Sequence, residues 1–503
     1  MVNYAFQLDY IPEIPLDESE KLSTTVKLSE VLNAGTRLEA SAFSIEARNV
    51  VTTLQNSGLQ LIPLYGEGGF CKEAHNAFRF KRIYVDAEHG IPFLLGSDII
   101  SLRLRNERFL SRKYTQKLSH LLIQKWDVLI SCSGTIGNVS LAGEIFTGKA
   151  LSQDAIRLRS VNSDSAGYIS AFLRSRYGRP QLTQATYGSV IVHIEPKHLE
   201  RVLIPDLPPI RQIEIGRLMC EAVKLRDEAN HLLDEADRIL HERLNLPYLK
   251  DIAPRDNASF STTIKASQLM GRLEGSFHDP AAIAAEKYLR SLPIEITTVG
   301  DRRVTKEVRA ITKFRERTYV EKGGIPMLSS KQIFQIAPID VKRLAKGAHT
   351  KDLPEIQLEE NMIAVTRSGT IGKVQIIPKY MAEWTASEHA TRFIASESIN
   401  AGYLYTWLAS DYGYCLITRC SYGSVILEVD KEMFSSVPVP LPNIAIRDEI
   451  GNLVLKANQL RDEAWCNELE AITKLENIIS KDAALMLLKE REVLVVLNPS
   501  LSD

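Results

Sequence analysis

Two stretches of this sequence concentrate positive charge. Arg302, Arg303, Lys306, Arg309, Lys313, Arg315 and Arg317 stand close together against only Glu307 and Glu316. Further upstream, Lys81, Arg82, Arg103, Arg105, Arg108, Arg112, Lys113 and Lys117 have few acids between them. Such clusters bind phosphate oxygens, so a polyanion is the partner they suggest, with a merely solvated charged face as the plain alternative. The whole chain carries 61 Lys and Arg against 62 Asp and Glu, so any such attraction has to be local. Two further motifs each occur twice. SGTIG at 133–137 and 368–372 places Ser133, Thr135, Ser368 and Thr370 beside glycines that favour a tight hairpin turn. It reads as a structural turn, or as a turn whose N–H groups and hydroxyls approach a phosphate. YGSVI at 187–191 and 422–426 offers Tyr187 and Tyr422 either as core-edge aromatics or as rings that stack at a nucleic-acid surface.

These motifs share one spacing. RLE at 37–39 and 272–274, SGTIG, YGSVI, and LRDEA at 225–229 and 460–464 all recur at an offset of 235. Arg157 and Arg392 fall on the same diagonal, and GIPFL at 90–94 matches GIPML at 324–328 after a one-residue deletion. A single offset held over so much chain marks a tandem duplication. Each copy begins with a mixed part of short apolar runs such as WDVLISCS (126–133) and NMIAVTRS (361–368), which read as strands ending in glycine turns. Helix-like pieces follow at 166–178 and 401–413, and the proline-rich exits LIPDLPP (203–209) and VPVPLPN (437–443) close each part.

Beyond each exit the apolar positions step by three and four. Ile215, Leu218, Ala222, Leu225, Ala229, Leu232, Ala236 and Ile239 form one series, and Ile450, Leu453, Ala457, Leu460, Ala464, Asn467 and Ala471 the other. A helix over 210–244 would be about 50 Å long. The two seams are expected to pair with each other, with packing of each helix on its own domain as the alternative. Asn467 on the seam is a candidate for setting register.

Other chemistries find little support. The ten histidines do not repeat on the diagonal, where His193 faces Glu428, His198 faces Met433 and His389 faces Asp154. A duplicated imidazole-based acid–base or metal site is therefore not expected. Six scattered cysteines without a C-x-x-C pair suit neither a disulfide framework nor a zinc ribbon, and a cytoplasmic setting is expected. No run approaches the roughly 18 apolar residues of a membrane span, and the acidic, proline-containing start is unlike a secretory signal. YGEGGF (65–70) has no counterpart in the second copy, and NLPY (245–248) sits where Pro247 would stop a helix. No cofactor is expected.

Two mixed domains alternating with two long helices, with GIPFL, SGTIG and YGSVI in order, resemble the DNA-specificity (S) subunits of type I restriction–modification systems. The resemblance covers nearly the whole chain. It implies an α+β fold in which residues 25–205 and 259–440 are target recognition domains, each reading half of a bipartite double-stranded DNA site. Regions 206–258 and 441–492 would hold the two spacer helices, paired as an antiparallel coiled coil, with 1–24 and 493–503 as flanking segments. It also implies partners, namely two methyltransferase subunits docked on the helices and a motor–nuclease subunit, and no catalytic centre in this chain. A self-contained DNA-modifying enzyme and a duplicated protein-binding scaffold are the alternative readings. Under the resemblance, half-site differences fall where the copies differ chemically: Gln153/Glu388, Asp154/His389, Gln184/Arg419 and Cys132/Arg367. Gln suits adenine edges and Arg suits guanine edges.

Overall fold

A computed structural model describes residues 25–33, 43–104, 108–133, 136–184, 193–253, 263–269, 271–309, 316–423 and 425–480. Of these, residues 25–227 with 463–480 form one compact unit, the first unit below, and 228–462 form the second.

The first unit is built on short strands that alternate with turns. Strands β1 (Leu61–Pro63), β2 (Glu73–Asn76), β3 (Tyr84–Val85), β4 (Gly90–Leu94) and β5 (Phe109–Ser111) come first, followed by β6 (Val128–Ser131), β7 (Val139–Leu141), β8 (Ala150–Leu151), β9 (Ala155–Arg159) and β10 (Leu203–Pro205). The order β2-β9-β6-β7 makes an antiparallel sheet, and β3-β5-β4-β8 makes a second one in which only β4 and β8 run parallel. The apolar run of β6 is buried at every position, as an interior strand requires. The proline-containing exit forms β10, which pairs only with β1, a place where a strand tolerates a missing N–H donor. One core joins Val128, Ile130, Ile156 and Leu158 of the sheet to Tyr168, Ile169 and Phe172 of helix Ser163–Arg174. Ile215 and Met219 of the long central helix (Pro209–Arg243) and Leu475 and Ile479 of the long C-terminal helix (Ile444–Ile479) complete it.

The second unit follows with β11 (Glu295–Thr298), β12 (Thr305–Arg309), β13 (Tyr319–Val320), β14 (Ile325–Leu328), β15 (Lys342–Leu344), β16 (Ile363–Thr366), β17 (Val374–Ile376), β18 (Thr385–Ala386), β19 (Ala390–Ala395) and β20 (Pro438–Leu441). Its sheets run β12-β19-β16-β17, β13-β15-β14-β18 and β11-β20, with β14 and β18 parallel. In this unit Asn245 takes a left-handed φ of 51° and Leu246 N–H bonds back to the His241 carbonyl, so the NLPY segment ends the central helix with Pro247 just beyond.

In each unit a long helix is fastened to its own sheet domain by the same contacts, 235 residues apart. A Cβ on Gly167 would lie 2.2 Å from the Gly216 carbonyl oxygen, and one on Gly402 would lie 2.2 Å from that of Gly451. Only glycine permits backbones so close. One turn or more further along, the Asp227 carboxylate accepts the N–H groups of Glu144 (2.7 Å) and Ile145 (3.3 Å), and the Asp462 carboxylate those of Tyr380 (2.9 Å) and Lys379 (3.2 Å). Burial raises both carboxyls, Asp462 to about 6. Tyr168 and Tyr403 donate their hydroxyls to the carbonyls of Pro205 (2.6 Å) and Pro440 (2.7 Å). The LRDEA repeat is thus the helix side of a clip.

The buried stripe of the central helix is Ile215, Met219, Ala222, Arg226, Ala229, Leu233, Ala236 and Leu240. It keeps the expected heptad rhythm, yet Leu218, Leu225, Leu232 and Ile239 are only half-buried. On the C-terminal helix the stripe runs Ile450, Val454, Ala457, Arg461, Ala464, Glu468, Ala471 and Leu475. Its acidic member is Glu468, and Asn467 is half-buried beside it. Within the first unit, Glu468 takes Arg226 and Arg174 together, with Arg226 Nη2 at 2.6 Å and Arg174 Nη2 at 2.9 Å from Oε2, while Lys474 reaches Glu214 at 2.6 Å. Burial alone would raise the Glu468 carboxyl, but the two guanidiniums outweigh it and hold it at about 2. Within the second unit, Arg243 bonds Glu449 at 2.7 Å. No helix among the described residues is long and apolar enough to cross a membrane.

Candidate nucleic-acid interface

Around β3 and β5 of the β3-β5-β4-β8 sheet stands a group of exposed cations. Lys81 and Arg82 lead into β3, while Arg108, Arg112, Lys113 and Lys117 flank or follow β5, and all six are exposed. Among the described residues, no carboxylate lies within ion-pair distance of any of them. Aromatic rings lie between the charges. Arg82 stands 5.3 Å over Phe93, Lys117 Nζ 5.8 Å over Phe78, and Lys113 Nζ 5.3 Å over Tyr114, which is 59% exposed. Cations interleaved with ring faces suit phosphate and base contacts together. Nearby, a cleft of about 620 Å³ is lined by Glu73, His75, Phe78, His120, Gln124 and Arg159. Burial, with Arg157 and Arg159 alongside, pushes the His75 imidazole down to about 4, so it is neutral at pH 7.

Gln153, a residue singled out in the sequence, follows β8 and meets one of these cations. Its Oε1 accepts from Arg82 Nη2 at 3.1 Å. In the second unit Arg317 Nη2 lies 2.5 Å from each oxygen of Glu388, and the exposed His389 ring sits 3.9 Å from the same carboxylate. Geometry therefore brings together Arg82 with Gln153 and Arg317 with Glu388 and His389.

Other expected site residues are differently engaged. Arg303 lies between Glu295 (2.8 Å) and Asp301 (2.7 Å), and its pull holds the Asp301 carboxyl well below the usual range. Arg309 bonds Glu307 at 3.0 Å and Glu359 at 2.5 Å and is mostly buried. Of that trio only Arg302 stands exposed without an ion pair among the described residues. Arg419 donates to the Phe277 carbonyl (2.8 Å) and to Glu286 (2.6 Å) over the Phe277 ring, so its guanidinium is occupied inside the unit. Arg367 is buried 3.7 Å from Glu428, and in the other copy burial pushes the Cys132 thiol up to about 12. Arg103 and Gln184 are half-buried. Arg105, Thr135 and Tyr187 lie outside the described residues, as do Lys313 and Arg315.

The SGTIG segments join β6 to β7 and β16 to β17, both antiparallel pairs. Gly137 (φ 88°), Gly369 (φ 74°) and Gly372 (φ 82°) supply the left-handed backbone of these turns. Ser133 bridges to His193, Ser368 Oγ lies 3.4 Å from Glu428, and Thr370 is exposed. Beside the second turn, Tyr422 exchanges both backbone hydrogen bonds with Glu428. Tyr422 and Leu427 are partly exposed there, while Val425 and Ile426 stand mostly in solvent.

Composition also hid two groups at the sheet centres. Arg157 and Arg392, already matched on the diagonal, are fully buried, each donating to one backbone carbonyl: Leu122 at 3.2 Å and Ala386 at 2.8 Å. Burial pushes both guanidiniums down to about 10. The repeat was the one signal that could find them. Among the described residues no disulfide joins any of the cysteines, and no group of three or more His, Cys, Asp or Glu is placed to hold a metal ion.

No curated protein matches this sequence. Among solved structures, the chain is similar to the S subunit of a type I restriction–modification system from M. genitalium, at 14% identity over 84% of this chain and 98% of that one, with a TM-score of 0.27. It is also similar to the HsdS subunit from Thermoanaerobacter tengcongensis, at 14% identity over 85% and 96%, with a TM-score of 0.25. Residues 306–454, running from β12 through the second SGTIG and YGSVI into the C-terminal helix, match the family model of the type I restriction modification DNA specificity domain. Over that segment this chain is therefore similar to the type I restriction modification DNA specificity domain.

Proposed function

We propose that this protein is the non-catalytic DNA-specificity subunit of a type I restriction–modification complex. Residues 25–205 and 259–440 are its two recognition domains, each reading one half of a bipartite site in double-stranded DNA. The helices of 206–258 and 441–492 pair as an antiparallel coiled coil, set the spacing, and dock methyltransferase subunits. Methylation and cleavage come from those subunits and from a motor–nuclease subunit. The observation that carries this reading is the repeated mount: the glycine crossing and aspartate clip fasten a long helix to a sheet domain in each unit. Such a mount makes a domain move with its helix, as a spacer demands. In the first unit the numbering of the Glu214–Lys474 and Arg226–Glu468 contacts runs in opposite senses, which supports antiparallel pairing.

The test is co-expression with a type I methyltransferase subunit followed by methylation-site mapping. A split motif with a fixed gap is expected. A continuous motif would overturn the two-domain reading, and methyl transfer from S-adenosylmethionine by the highly purified chain alone would overturn the non-catalytic one.

A further inference from the structure

One contact occurs at the same place in both units with its chemistry changed. Arg82 and Arg317 are 235 residues apart, as are Gln153 and Glu388. In the first unit the arginine is steadied by a neutral amide, and in the second it is clasped by a carboxylate. The amide orients Arg82 and leaves its positive charge intact. It also keeps Nε2 as a further donor for an anion. Glu388 cancels the charge of Arg317 and presents only acceptors, which repel a phosphate. Arg82 is exposed, backed by the Phe93 ring, and neighboured by Lys81.

We propose that the residue at 153 and 388 decides whether the adjoining arginine grips a DNA phosphate: Arg82 is a phosphate contact of the first unit, and Glu388 holds Arg317 off the DNA in the second. This inference rests on the DNA-specificity reading above. It makes the two recognition domains unequal in their electrostatic hold, through a single amide-to-carboxylate difference.

The experiment uses the full chain assembled with its methyltransferase subunit. Binding is measured from about 50 to about 200 mM salt on a duplex carrying the mapped methylation site and on an unrelated duplex. Each phosphate contact adds about 0.9 to the slope of log K against log salt, or roughly a 3.5-fold change across that range. Gln153→Glu is expected to lower the slope by about 0.9 and Glu388→Gln to raise it by about 0.9, on both duplexes. In an Arg82→Gln background, Gln153→Glu should add nothing. In an Arg317→Gln background, the gain from Glu388→Gln should vanish. Unchanged slopes in complexes that still assemble would overturn the proposal, as would an effect confined to the cognate duplex or one that survives removal of the arginine. A parent complex that binds neither duplex would instead refute the DNA-specificity reading itself.

Discussion

Replacing Glu468 tests what holds the C-terminal helix in the first unit. Its carboxylate is 3% exposed and lies between the guanidiniums of Arg174 and Arg226. With the carboxyl held at about 2 in the fold against 4.5 ordinarily, its ionised form contributes about 3 kcal/mol at neutral pH. Because the folded value lies below the unfolded one, that contribution is complete above about pH 4.5 and fades as the pH falls toward 2. Glu468→Gln should therefore cost about 3 kcal/mol at pH 7, since two buried cations lose their counter-charge. The gap to the parent should close as the pH drops through the window between 4.5 and 2. Replacing Glu468, Arg174 and Arg226 together by Leu or Met should be far milder than the single change, because no charge is then left stranded. Amide hydrogen exchange across residues 463–479, read at several pH values, separates this helix end from the rest of the chain. Protection at pH 7 equal to the parent's in Glu468→Gln would refute the argument, as would a loss that does not shrink on acidification.

Three further outcomes are expected. Gly167→Ala and Gly402→Ala each force a methyl group into a facing backbone and should destabilise by about 1–3 kcal/mol, seen in urea unfolding as a lowered midpoint. A heptad inserted after Ala229, with another after Ala464, should lengthen the helices by about 10 Å and widen the gap in the mapped site by up to about three base pairs while leaving both half-sites unchanged; an unchanged gap with full activity would exclude the helices as spacer. Arg302→Ala should lower the salt slope of DNA binding on every duplex, whereas Arg309→Ala should leave it nearly unchanged because Glu307 and Glu359 already neutralise that side chain.

The sequence made the central helix legible to within a residue, Pro209–Arg243 against an expected 210–244, because period and proline signals agree there. The seam was less legible. Stepping by three and four along the apolar series selects Leu225 and Asn467, whereas burial selects Arg226 and Glu468, two charges that satisfy each other and escape any hydropathy count. The partners of two clustered arginines were hidden for a related reason. Along the chain Arg303 and Arg309 read as excess charge, but Glu295 and Glu359 arrive from other elements to meet them. The chemically different pairs Gln153/Glu388 and Gln184/Arg419 looked alike in sequence. Only folding put the first beside an exposed arginine and tied Arg419 into the interior.

The mount has an evolutionary corollary. Gly167, Gly216 and Asp227 fasten the helix through backbone atoms near β7 and helix Ser163–Arg174, whereas Lys81, Arg82, Arg112 and Lys117 are exposed around β3 and β5. Exposed positions tolerate most substitutions within about 0.5 kcal/mol, while a glycine facing backbone at 2.2 Å tolerates none without movement. Drift among these cations and purifying selection at the mount can then proceed separately. A lineage carrying this architecture can change the charge its domain presents without re-engineering how that domain is attached.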